Sequence, residues 1–219
     1  MSINFNIEII QEFWKLLLSG VPVILGLSLA SAFLGTIIAI VTVFLRRVNK
    51  VLNFIVAAYI DLFRGTPVYV QLFFIYFGIP GLLGFNLDMW PAAIIVFSLN
   101  SGAYMSEIMR AGIDGIDVGQ IEAAKALGVS QKDITKDIIL PLAIRNVLPA
   151  IINEFITLTK ETSVVSVVGL HDMMYWFYVV KNQTFSDFEP LLIVFIVYYL
   201  MNKVLSFIGK KIERKLQYD

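Results

Sequence analysis

Five apolar runs, near residues 20–45, 52–78, 90–110, 145–169 and 188–208, constrain this chain more than any other feature. A helix needs about 20 apolar residues to cross a hydrocarbon core of roughly 30 Å. With 58% of its 219 residues hydrophobic and 16% charged, the chain is far more apolar than a soluble domain of this length. The expected fold is an all-α integral membrane domain of five transmembrane helices. Residues 1–219 form one domain, because no Ser/Pro-rich linker divides them and no clean internal repeat is visible.

Charge and composition exclude several functions. The formal net charge is zero, so no basic field points to nucleic acid. The chain has no Cys and one His, which removes disulfides, thiol catalysis and any evident metal site. No catalytic constellation is evident. Residues 1–19 carry Glu8, Glu12 and Lys15 rather than a basic leader, so no cleavable signal peptide is expected. Positive residues accumulate on the cytoplasmic side of membrane proteins. Thirteen of the 17 Lys and Arg residues fall in the segments after spans 1, 3 and 5 or at their edges. This places the N-terminus outside and the C-terminus in the cytoplasm.

The segment between spans 3 and 4 is unusually polar. Glu122-Ala123-Ala124-Lys125-Ala126-Leu127 consists of strong helix formers. Gly128 suits a left-handed helix end, Ser130 suits the cap of a second helix with Asp133 three residues on, and Pro141 is expected to limit that second helix. A solvated hairpin and a docking element for a soluble partner both fit this pattern. Small residues also recur at four-residue spacing, as Ser31, Gly35 and Ala39 in span 1 and Ser98, Gly102 and Ser106 in span 3. Such strips let membrane helices approach closely, within one chain or between chains.

The polar segment resembles the EAA motif of ATP-binding-cassette (ABC) importer permeases. Its elements are Glu122, Ala123, Ala124 and Gly128, then, after nine residues, Ile138, Leu140 and Pro141. Arg64-Gly65-Thr66-Pro67, Asn100-Ser101-Gly102-Ala103-Tyr104, Asn153-Glu154 and Lys160-Glu161-Thr162-Ser163 are similar to segments of the polar amino acid permeases of that class. The resemblance implies a type I importer permease in a bacterial cytoplasmic membrane. Its coupling region is 114–141, with Glu122, Ala123, Ala124, Gly128, Leu140 and Pro141 docking on a separate ATPase. That partner would hold the ATP and Mg, since this chain has no phosphate-binding loop and needs no cofactor of its own. The other implied partners are a second permease copy (identical or similar), an external solute-binding protein, membrane lipid and an amino acid substrate.

Ionisable residues within spans are expensive and point to function. Asn100, Asn153, Glu154 and Thr157 are candidates for the substrate path. Asp61, Arg64, Lys160 and Glu161 are gate or structural candidates, with Asp61 and Arg64 spaced to pair with each other. Glu107 and Arg110 fit a simple surface pair. Trp14, Trp90, Trp176 and Tyr178 fall where interfacial aromatic anchors concentrate. A permease for another small solute and a stand-alone secondary transporter are the competing readings. Five spans without an inverted repeat disfavour the second.

Overall fold

The computed structural model describes residues 5–218, with side chains described through residue 215. Every regular element among these residues is a helix. In chain order they are α1 (Ile7–Leu18), α2 (Val21–Leu45), α3 (Lys50–Gly65), α4 (Val68–Leu83), α5 (Met89–Asp114), α6 (Val118–Ala126), α7 (Gln131–Val168), α8 (Met173–Thr184) and α9 (Phe188–Tyr218). Four segments are long and apolar enough to cross a membrane: Ile7–Leu45, Met89–Asp114, Gln131–Val168 and Phe188–Lys215. The pair α3 and α4 supplies a fifth apolar stretch, bent by 108°.

The central contact joins α2 to α5. Ser31, Gly35 and Ala39 face Ser98, Gly102 and Ser106, and all six are buried. The two small-residue strips therefore pack on each other within one chain. A Cβ at Gly102 would lie 2.8 Å from Ile38 Cγ2, and one at Gly35 would lie 3.1 Å from the Gly102 nitrogen. Only glycine permits this approach. The hydroxyls of Thr42 and Ser106 pair across the seam at 2.5 Å, and each also donates or shares within its own helix turn. Apolar residues of α2, α4, α5 and α7, including Leu27, Leu72, Phe97 and Leu158, complete this core. A second cluster joins α1 and α2 to α8 and α9 through Leu17, Ile24, Met173, Phe177 and Val194.

Span 2 is expected as one helix over 52–78 but is broken. Thr66 is extended (φ −124°, ψ 146°) because the ring of Pro67 disfavours helical geometry in the residue before it. The break strands carbonyls at the end of α3, and a buried amide takes them up. Gln71 Nε2 donates to Phe63 O at 2.8 Å and to Thr66 O at 2.9 Å. Asn100 Nδ2 of α5 donates to Gln71 Oε1 at 3.0 Å and to Phe63 O at 3.2 Å. The elbow is thus fastened to the central helix pair.

Span 4 also differs from expectation. Pro141 does not limit the second helix, which runs on through Val168. A π-turn over Ile134–Ile139 precedes it, with Leu140 N–H reaching Thr135 O five residues back. That wider turn relieves the clash a proline ring makes with the carbonyl four residues earlier. Between the expected spans 4 and 5 lies α8, capped by Asp172.

Gly102→Ala is expected to cost about 1–3 kcal/mol through overpacking of the seam. Gly26→Ala, with nothing near the added carbon, is expected to be neutral or better. Thermal melting of both variants in detergent checks the contrast.

Candidate functional site

Asp117 opens α6 by accepting from the Gly119 N–H at 2.8 Å. Gly128 closes it at φ +74°. The Gly128 N–H bonds Lys125 O at 3.0 Å and the Val129 N–H bonds Ala124 O at 3.1 Å. These are the two bonds of a Schellman ending, which needs a left-handed residue at this position. Ser130 then caps α7, accepting from Asp133 N at 3.2 Å and donating to its carboxylate at 2.6 Å. Ala124, Ile116 and Ile134 are buried. Glu122, Ala123, Gly128 and Pro141 are exposed, as are Leu140 and Leu127, the last at 84%. The corner therefore presents an uncovered face with apolar tips on a rigid turn.

Near that end, charges converge on Glu107 of α5. Arg46, at the end of α2, meets it at 2.7 Å, Arg110 at 2.8 Å and Arg64 of α3 at 3.7 Å. Arg110 also reaches Asp114 at 3.0 Å. The expected surface pair is thus one edge of a network across three helices. The expected Asp61–Arg64 pair does not form. Arg64 turns instead toward α5, with its guanidinium 5.4 Å from the Tyr104 ring. Asp61 and Arg64 still line one open cavity of about 690 Å³ with Arg46 and Glu107.

On α7, Asn153 and Lys160 are exposed, and Glu154, Thr157 and Glu161 are half-buried. Among the described residues these five side chains have no hydrogen bond or ion pair to another element. A charged and amide-bearing face on a span requires protein or a wet cavity beside it, because lipid offers no partner. Asn100 is separate from this face. It is buried, and its amide is engaged at the elbow. Gln71 is not among the site residues the sequence suggests. The signal was present: a polar residue one turn after a helix-breaking proline can cap the helix before it.

At the opposite end, Trp90 and His171 border a cavity of about 580 Å³. His171 stacks on Tyr175 at 4.3 Å, and Trp14 and Tyr178 are exposed. Behind them Asp172 is fully buried. One carboxylate oxygen accepts from Tyr175 N at 2.8 Å, and the other has no partner among the described residues. Burial pushes this carboxyl up to about 6, against the opposing pull of the N–H groups at the start of α8.

A multi-span helical bundle with a bent helix pair and an exposed helical corner fits a membrane permease. Residues 14–218 match the family of binding-protein-dependent transport system inner membrane components, and the chain belongs to it. The arginine transport system permease protein of Bacillus subtilis is 46% identical, covering 99% of each chain. The putative glutamine transport system permease protein of Rickettsia typhi is 42% identical, over 91% of this chain and 92% of that one. A crystal structure of an amino acid ABC transporter with histidines is 32% identical, with a TM-score of 0.92 over 97% of this chain and 100% of that one. The chain is therefore the multi-pass transport component of an ABC importer, which works with ATPase and binding-protein partners, and is not itself the enzyme.

The Asp172 carboxyl gives a pH signature. Its value in the folded protein lies above the ordinary 3.8, so the folded state holds the proton more tightly. Its contribution is full below about pH 4 and is lost as pH rises through about 6. Asp172→Asn keeps the cap and removes the charge. Relative to wild type, it is expected to gain up to about 3 kcal/mol above pH 7 and nothing near pH 4. Thermal melts across that range measure the difference.

Proposed function

We propose that this chain carries polar amino acids inward across a bacterial cytoplasmic membrane, with ATP spent by a separate subunit. The α6 end lies in the cytoplasm and the N-terminus outside. The basic residues support this orientation, because they cluster after α2, around α6 and at the end of α9. Glu122, Ala123, Ala124, Gly128, Leu140 and Pro141 dock α6 and its corner into a groove of the ATPase. The stiff Schellman ending passes the ATPase movement to α7 without loss in a floppy joint. A second permease copy covers the polar face of α7, and Asn153, Glu154 and Thr157 line the path between the two. Asp61, Arg64, Lys160 and Glu161 border it as gate residues. Asn100 contributes by holding the elbow beside the path. The carboxylate of Glu154 suits the ammonium of an amino acid, and a cationic side chain such as that of arginine adds a further attraction.

One observation carries the reading. The exposed corner closed by Gly128 leads, within three residues, into α7, and the unpartnered polar face lies farther along α7, so the point of attachment is tied to the candidate path. Amino acid transport also fits the stated substrates of the relatives.

Gly128→Asp tests the coupling. Its Cβ meets nothing within the chain, so the spans are expected to insert and fold. The strained backbone and added charge are expected to lower ATP-dependent amino acid uptake at least tenfold in proteoliposomes holding the full complex. Normal uptake with normal ATPase binding would remove α6 from the coupling role. Glu154→Gln is expected to weaken uptake of arginine more than that of glutamine. An equal effect on both, or uptake only of solutes other than amino acids, would favour a permease for a different small solute.

A further inference from the structure

We propose that this permease holds an anionic phospholipid at the α6 end, in a composite site nothing in the transport cycle explains. Two adjoining cavities form it. The first is an apolar groove of about 410 Å³ between the ends of α2 and α5 and the middle of α7. Val43, Phe44, Met109, Ile113, Leu140 and Ile144 are among its lining residues, and no polar side chain lines it. The second is a polar pocket of about 300 Å³, lined by Arg46, Arg47, Arg110, Asn53 and Asp114 together with Val43. Val43 lines both, so the two spaces flank one side chain near the end of α2.

The charges suit a phosphodiester. Arg46 and Arg110 already bond Glu107 and Asp114, but each guanidinium has five N–H donors and these pairs use only some of them. Arg47 is exposed and makes no ion pair among the described residues. Three guanidiniums thus outnumber the two carboxylates they meet. Arginine matches phosphate oxygens with paired donors, and basic pockets between membrane helices hold anionic headgroups. A headgroup in the arginine pocket leaves its acyl chains running toward the apolar groove. The lipid covers Phe44 and Ile144, which are otherwise 67% and 50% exposed. Polar headgroup and apolar tail are required together, which selects a lipid over a free anion.

Native mass spectrometry of the complex with its ATPase provides the test. The complex is incubated with phosphatidylglycerol, with phosphatidylcholine of matched acyl chains, or with inorganic phosphate. Phosphatidylglycerol is expected to be retained over phosphatidylcholine. Arg47→Gln is expected to reduce its retention about fivefold while leaving phosphatidylcholine unchanged. Ile144→Trp, which fills the groove at an exposed position, is expected to reduce retention of both lipids. Equal retention of the two lipids, or no effect of Arg47→Gln, overturns the site. Phosphate retained as well as the lipid reduces it to an anion pocket and overturns the role of the groove. Loss of the second permease copy in Ile144→Trp, with lipid retention unchanged, shows that protein rather than lipid occupies it.

Discussion

A backbone carbonyl inside a hydrocarbon core must find its donor within the protein. The unusual parts of this bundle are answers to that constraint. Pro67 breaks span 2 and would leave Phe63 and Thr66 carbonyls without partners. Gln71 supplies an amide donor to both, and Asn100 holds that amide in place from α5. The bend is therefore a defined elbow instead of a frayed end. It stands beside the α2–α5 seam, and Tyr59 of α3 donates to Leu99 O of α5. Pro141 receives a different answer: a π-turn widens the helix ahead of it, and α7 continues.

That continuity of α7 bears on the proposed function. A helix that stopped at Pro141 would separate the α6 corner from the membrane by a joint. One that runs from Gln131 to Val168 ties the corner to the polar face at Asn153–Glu161. Electrostatics then divides the charged groups by purpose. Glu107 gathers Arg46, Arg64 and Arg110 and locks α2, α3 and α5 together. Glu154, Lys160 and Glu161 are left without such partners, and are free to meet whatever occupies the space beside α7.

Much of this was legible from residue order. Apolar run length gave the spans that became α2, α5 and α9. Gly128 and Ser130 marked the turn and the cap because both depend on bonds only a few residues apart. The motif around Glu122 pointed to the family for the same local reason. Less legible were the helices α1 and α8, because each is only 12 residues long and leaves no apolar run of spanning length on its own. Arg64 takes a different partner from the one its spacing offers. Asp61 lies within reach along the same helix, but a carboxylate on α5 sits where the Arg64 side chain points.

The sequence alone determined a multi-span helical membrane protein with a helix-turn-helix corner, because length, hydropathy and capping act over short stretches of chain. Tertiary structure decided which small-residue strips meet, how sharply span 2 bends, and which charges pair. Those outcomes depend on groups brought together from residues 46, 64, 71, 100 and 107, and no local pattern records their distances. Asn100 shows the difference: its place in a motif marked it as important, and only the packing of α5 against the elbow assigned its amide to the carbonyl of Phe63.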